Sequence, residues 1–425
     1  MRYLTGILLI LFSATLHAQN APDGNYADNV QSVQLTVAGK PLLYPVVMLG
    51  ETGKLRLDFD DLDNKIKTYY YTFVHCNADW QPSSLFPSAY IKGFINKRIS
   101  QYTPSLISKT KYMHYTVYLP EQESMPTHSG NYILKVLLDG DTSKVVFTRR
   151  LLIVENMVGI QATVKTPFDA AKSFTHQKVN FEVNASTLNI SSPYTQLKVN
   201  VLQNYRWDNA ALNLQPNFIK GKTYEYNDEN TLVFQSGKEY RWLDMTNMRM
   251  RSDKIESIDD TENIFKVILH TETDRASTPF LRYEDFNGAW IVRTTDAIKT
   301  NPNIHGDYAL VTFRFSPAEP HLFSNKDIYL AGRVTGYLTN AHTKMNFNSL
   351  NNRYELTTLL KEGYYTYTYI SKDKNNAASP DFTLTEGNDW QTENNYTILV
   401  YYRAIADFAD RLVGIKDVNS VQMAN

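Results

Sequence analysis

Strand-length runs in which tyrosine alternates with threonine constrain this chain more than any other feature of its sequence. In Tyr364–Ile370 a period of two sends Tyr365, Tyr367 and Tyr369 to one face and Thr366 and Thr368 to the other. One face is expected to pack and the other to meet water or a partner. The whole chain carries 29 Tyr and 20 Phe against 18 Gly and 16 Pro, and aromatic and β-branched side chains suit a pleated, half-buried surface. Helical periodicity is almost absent, so the expected fold class is all-β, with tandem immunoglobulin-like β-sandwich domains.

A chain of 425 residues is too long for one ordinary domain. Runs at 55–59, 68–74, 112–119, 132–138 and 145–154 fill a first sandwich, residues 19–155. A second set, at 179–183, 197–202, 231–234, 265–269 and 290–293, fills a middle sandwich, 156–300. The polar, turn-rich stretch 294–306 is the expected second boundary. A third set, at 308–315, 327–331, 354–360, 364–370 and 396–402, fills a C-terminal domain, 301–425. Residues 241–254, with Met245, Met248 and Met250, read as a long loop or a short helix. Asp285–Gly288 contains the Asn-Gly pair of a type I′ turn.

Met1–Arg2, the apolar stretch Leu4–Leu16 and Ala18 before Gln19 have the pattern of a signal peptide over residues 1–18, so the chain is expected to be exported. No later apolar run approaches the length of a spanning helix, and no direct membrane span is expected. The charges nearly cancel, 43 Lys+Arg against 44 Asp+Glu, which argues against nucleic acid as a partner. Cys76 is the single cysteine, so no internal disulfide can form; burial, rather than nucleophilic chemistry, is its expected state.

No catalytic signature is complete in the sequence. Gly221-Lys222-Thr223 resembles the end of a phosphate loop, but Pro216 stands where the upstream glycine belongs. His75 and Cys76 are sequence neighbours that a strand sends to opposite faces, and with His114 they are expected to be sandwich side chains rather than metal ligands. The acid-rich segment Asp58–Lys65 lacks the glycine and terminal glutamate of a calcium loop and reads as a solvated hairpin turn. Glu284-Asp285 is a carboxylate pair whose members do not face each other. The expectation is therefore no enzyme, with no catalytic residue, cofactor, metal or small-molecule substrate.

Several blocks of sequence are more specific. Thr72–Trp80, Tyr112–Tyr115, Ser129–Tyr132 and Phe147–Arg150 resemble the plug-protein family of the type IX secretion system, as do Gln203–Asn209, Asp285–Gly288, Asp307-Tyr308, Lys361–Tyr365 and Asp410–Leu412. The resemblance runs in order through nearly the whole processed chain. It implies a Bacteroidetes-type periplasmic protein that binds a large outer-membrane secretion barrel and seals its periplasmic mouth when no cargo passes. Trp80, Trp207 and Trp242 are expected as core or inter-domain anchors, and Arg149, Arg150 and Arg206 as bridges between domains.

A second resemblance points to a different class of function. Ile328–Gly332 followed by Gly363–Tyr369 is similar to starch- and glycogen-binding sandwiches, with Tyr337 about where such modules carry a stacking tryptophan. The alternative expectation is thus an exported carbohydrate-binding protein.

Overall fold

The computed structural model describes residues 23–375 and 380–421, so the expected signal peptide lies outside the described residues. Among the described residues, strands dominate and no helix is long and apolar enough to cross a membrane. The strands close three β-sandwiches. In the first, the sheet ordered Val30–Val37, Leu55–Asp61, Met113–Leu119, Gln101–Pro104 faces the sheet ordered Val46–Met48, Val145–Val154, Gly130–Leu138, Tyr69–Cys76, Lys97–Arg98. Phe59, Tyr69, Tyr71, Tyr115, Tyr132 and Phe147 are fully buried between them. Phe59 and Tyr115 stack at 5.0 Å and Tyr69 meets Tyr115 edge-on at 4.9 Å.

The expected boundary near residue 300 is not a boundary. Arg241–Asp244 and Trp290–Val292, placed by sequence in the middle domain, both pair with Gly363–Asp373. Phe265–Leu269 pairs with Tyr308–Phe315, again across the stretch 294–306. These strands share one core built from Val267, Val311, Phe313, Ile328, Tyr365, Tyr367 and Tyr369. The middle sandwich is instead completed by the chain's end: Asn395–Tyr402 lies between Leu197–Gln203 and Arg411–Asn419 in one sheet. The third sandwich is therefore an insertion in the middle one, entered after strand Val233–Gln235 and left before Asn395. Hydrogen-bond partners for a central strand decide this nesting, and local sequence carries no trace of them.

Three smaller expectations resolve in the same way. Residues 241–254 open as strand Arg241–Asp244 and continue without a helix. Asn287 and Gly288 have φ of 49° and 78°, as the turn requires, although no strand precedes it. Thr366 and Thr368 are as buried as the tyrosine face: Thr366 Oγ1 donates to the Ala289 carbonyl at 2.7 Å, and Thr368 lines the junction with the middle sandwich.

Candidate functional site: the seams between the sandwiches

The blocks Thr72–Trp80 and Phe147–Arg150 meet Gln203–Asn209 where the first and middle sandwiches join. Trp80, held at φ 64° in the loop after strand Tyr69–Cys76, packs edge-on against Trp207 at 4.9 Å. The Arg150 guanidinium lies 4.9 Å from the Trp80 ring and 5.4 Å from Trp207, and Asp23 holds its far side at 2.5 Å. Trp207 donates through Nε1 to the Tyr44 hydroxyl at 3.0 Å, and Tyr44 stacks on Tyr205 at 4.5 Å. A desolvated cation between two indoles contributes about 2 kcal/mol beyond its packing.

Beside this aromatic group lies a polar one centred on Asp410. It accepts from the Ala78 backbone N–H at 3.0 Å, from Lys198 at 3.0 Å and from Arg403 at 2.7 Å. Burial raises its pKa, but the Ala78 N–H and Lys198 outweigh that and hold the carboxyl below the usual range. Tyr401 donates to Asn131, which donates to the Asn77 carbonyl, and Asn200 donates to the Ala78 carbonyl. Gly130 belongs here for steric reasons. Its φ is +148°, and a Cβ would strike the His75 ring and come within 3.2 Å of the Asp410 carbonyl.

A second seam joins the first and third sandwiches through buried charge. Asp60 and Lys361 pair at 2.5 Å with side chains 2% and 1% exposed. Asp60 also accepts from the Tyr308 hydroxyl at 2.6 Å and faces His114 Nδ1 at 2.7 Å, while His114 Nε2 lies 3.1 Å from Asp58. Lys361 sits 4.1 Å from the Tyr112 ring centroid and donates to the Asn303 carbonyl. Burial opposes ionisation of Asp60, yet Lys361 and His114 hold its carboxyl below the ordinary value. Lys299 bridges Asp307 and Glu362 at 2.6 and 2.5 Å, and Asp307 accepts from the Lys109 N–H of the first sandwich. Asp60 and Asp61 thus correct the expectation of a solvated hairpin turn: they end a buried strand, and the chain then crosses to the opposite sheet. Asp61 is satisfied by Asn29, Lys67 and Tyr69.

The third seam joins the middle and third sandwiches. Arg206, 2% exposed, lies 4.9 Å from the Tyr337 ring and 5.4 Å from Phe382, with Asp208 at 2.6 Å. Asn287 donates to Glu393 at 2.9 Å. A cavity of about 10 Å³, lined by Gln203, Arg206, Tyr240, Phe382 and Glu386, is room for about one water. Burial pushes the Glu239 carboxyl up to about 8 and that of Asp285 up to about 7, each with further carboxylates nearby. Gly288 has φ +78°, and a Cβ there would collide with the Tyr337 hydroxyl.

Every block singled out in the sequence therefore contributes to a seam, and together the seams lock the three sandwiches into one body. A profile described as the type 9 secretion system plug protein first domain matches residues 30–155, the span of the first sandwich. The chain belongs to the type IX secretion plug family. It is also similar, at 30% identity, to the crystal structure of a hypothetical protein from Parabacteroides merdae, covering 94% of this chain and 100% of that one with a TM-score of 0.89. No curated protein matches it. Membership ties the plug-family chain to type IX secretion.

The remaining expected residues can now be placed. Trp80 and Trp207 are inter-sandwich anchors, whereas Trp242 stays within the third sandwich against Tyr283 at 4.9 Å. Arg150 and Arg206 bridge sandwiches; Arg149 does not, since it serves the Gly24 carbonyl, the Thr148 carbonyl, Asn25 and the Val33 carbonyl. His75 is buried with its pKa lowered to about 4, which keeps it neutral, and the buried Cys76 thiol is pushed up to about 12. No three His, Cys, Asp or Glu side chains are grouped to hold a metal among the described residues. Tyr337 corrects the sugar reading: it is 8% exposed, hydrogen-bonded to Tyr240 and covered by Arg206, so no ring can stack on it.

The pairing of Asp60 with Lys361 had no local signal. Asp60 lies in the acid-rich segment and Lys361 in the block Lys361–Tyr365, but they are 301 residues apart and nothing in either stretch points to the other.

Proposed function

We propose that this plug-family chain is a non-enzymatic periplasmic protein that binds the type IX outer-membrane barrel and seals its periplasmic mouth when no cargo passes. The observation that carries this reading is the locking of three sandwiches by buried charge and stacked aromatics at every seam. A stopper for a pore that admits folded cargo must be bulky and must not come apart under thermal motion. Domains in one chain move relative to each other unless their interface is extensive; here the seams are buried and hydrogen-bonded. Release has to remain possible, so the contact with the barrel is expected to be polar and of moderate size, roughly 1,600 Å² in total.

The test is a pull-down from envelope extracts with the tagged full chain, combined with deletion of the gene. Co-purification of a very large outer-membrane barrel, and entry of bulky antibiotics into the deletion strain, are the expected results. An intact tagged protein that retains no barrel, in a strain of unchanged permeability, would refute the assignment.

A further inference from the structure

The third sandwich carries an unfinished sheet edge. Strand Arg353–Lys361 pairs on one side with Tyr308–Phe315 over residues 354–361. On its other side the short strand Asn346–Asn348 pairs only with residues 353–355. The Glu362 N–H donates to the Asp307 carbonyl at 2.7 Å, which sets the phase of the ladder. Because hydrogen-bonded pairs alternate in an antiparallel ladder, even-numbered residues from 354 to 362 bond to the 308–315 strand. Arg353 and Glu355 turn toward Asn348 and Asn346. Thr357 and Leu359 turn the same way and meet no strand. Their backbone N–H and C=O groups have no hydrogen-bond partner among the described residues.

A groove of about 790 Å³ runs along this edge, lined by His342, Phe347, Asn348, Glu355, Thr357 and Leu359 among others. Its volume falls within the roughly 300–1,000 Å³ of small-ligand pockets, but its floor is an open hydrogen-bonding ladder rather than a closed cavity. The chemistry of the walls narrows the occupant. Thr357 shares a hydroxyl contact of 2.9 Å with Thr312, and Leu359 lies opposite Leu310. The nearby charges are already spent on each other: Glu355 is held by Arg353 at 2.6 Å, and Arg314 by Glu256 at 2.5 Å. A charged segment would find no free counter-charge here, and an uncharged one needs none.

We propose that residues Thr357–Leu359 accept an extended, uncharged strand from a secretion-system partner, which continues the sheet in line with Asn346–Asn348. Main-chain hydrogen bonds supply the affinity in such strand addition, and side-chain pockets supply the selectivity. Unguarded edges are otherwise blunted by charge, proline or cover, and none of these protects Thr357 or Leu359. The identity of the partner rests on the plug reading; the edge itself does not.

The substitution Thr357→Pro isolates the effect. Its N–H points off the sheet, so proline removes a donor for the incoming strand and no bond of the native ladder, and proline is tolerated on edges. The probe is a capped, dye-labelled peptide of alternating threonine and valine titrated against the full chain by fluorescence anisotropy. Saturable binding that weakens at least tenfold in Thr357→Pro and persists in Thr357→Ser, with unchanged unfolding midpoints, is expected. Absence of binding to the unmodified chain, or equal binding to T357P, overturns the proposal. So does self-association of the unmodified chain that T357P abolishes, since the occupant would then be a second copy. In the barrel pull-down, loss of the barrel by T357P alone supports the partner assignment. Equal retention by both overturns it while leaving the plug reading intact, and retention by neither removes both the plug reading and this partner.

Discussion

Replacing Lys361 by methionine would leave Asp60 as a buried carboxylate without its cation. Both side chains are almost fully buried, and stripping one member from such a pair typically costs about 3–5 kcal/mol, because the survivor keeps its desolvation penalty. The Tyr308 hydroxyl and His114 remain within 2.7 Å of Asp60, so the lower end, about 3 kcal/mol, is expected. In urea this would move the unfolding midpoint down by roughly 1 M, taking a slope of about 3 kcal/mol/M at the upper end of the usual range. Tryptophan fluorescence follows the first–middle seam through Trp80 and Trp207, and limited proteolysis of loop 105–111 follows the first–third seam. Asp60→Asn combined with Lys361→Met should recover at least half of the loss, since no charge is then stranded. A midpoint shift below about 0.3 M, or a double variant no more stable than Lys361→Met alone, would show that this pair does not hold the sandwiches together.

Other consequences can be measured independently. Trp80→Ala should cost about 3–5 kcal/mol in the same assay, through loss of the Trp207 and Arg150 contacts. Glu239 and Asp285 have folded-state values of about 8 and about 7, above their unfolded values, so the folded state binds more protons. Their effect favours folding at low pH and fades as pH rises from about 4 through 7 to 8; Glu239→Gln should therefore shrink the drop in unfolding midpoint between pH 6 and pH 9. The Cys76 thiol, buried and raised to about 12, should resist a thiol reagent at neutral pH until the protein is unfolded in denaturant. Truncation after residue 393 should leave the third sandwich protease-resistant and the middle one degraded, because strand Asn395–Tyr402 is then missing from the centre of its sheet.

Individual strands were legible because period-two alternation is a local property: Tyr308–Phe315 coincides with its sequence reading, and Asn395–Tyr402 differs by one residue. Their partners were not legible. Nothing in Asn395–Tyr402 distinguishes a strand that closes the third sandwich from one that returns to Leu197–Gln203, so the sandwiches read as a linear series and the boundary fell near 300. The same limit hid the buried charge. Asp58–Lys65 reads as a solvated turn unless Lys361 is known to stand against Asp60, and the block Lys361–Tyr365 does not announce which acid its lysine meets. The tryptophans and Arg150 were legible as anchors because large aromatics and planar guanidinium groups rarely serve anything else at such density, while Arg149, its neighbour in sequence, fell on the opposite side of the strand.

The nesting of the third sandwich has a mechanical consequence. Besides its buried seams, that sandwich is joined to the middle one by two covalent links, one after Gln235 and one before Asn395, which meet where Asn394 donates to the Ser236 carbonyl. Traction on either link is passed to strands hydrogen-bonded into the supporting sandwich, and Asn395–Tyr402 is gripped on both flanks. Unthreading the third sandwich from either link therefore requires breaking the sheet of the middle one.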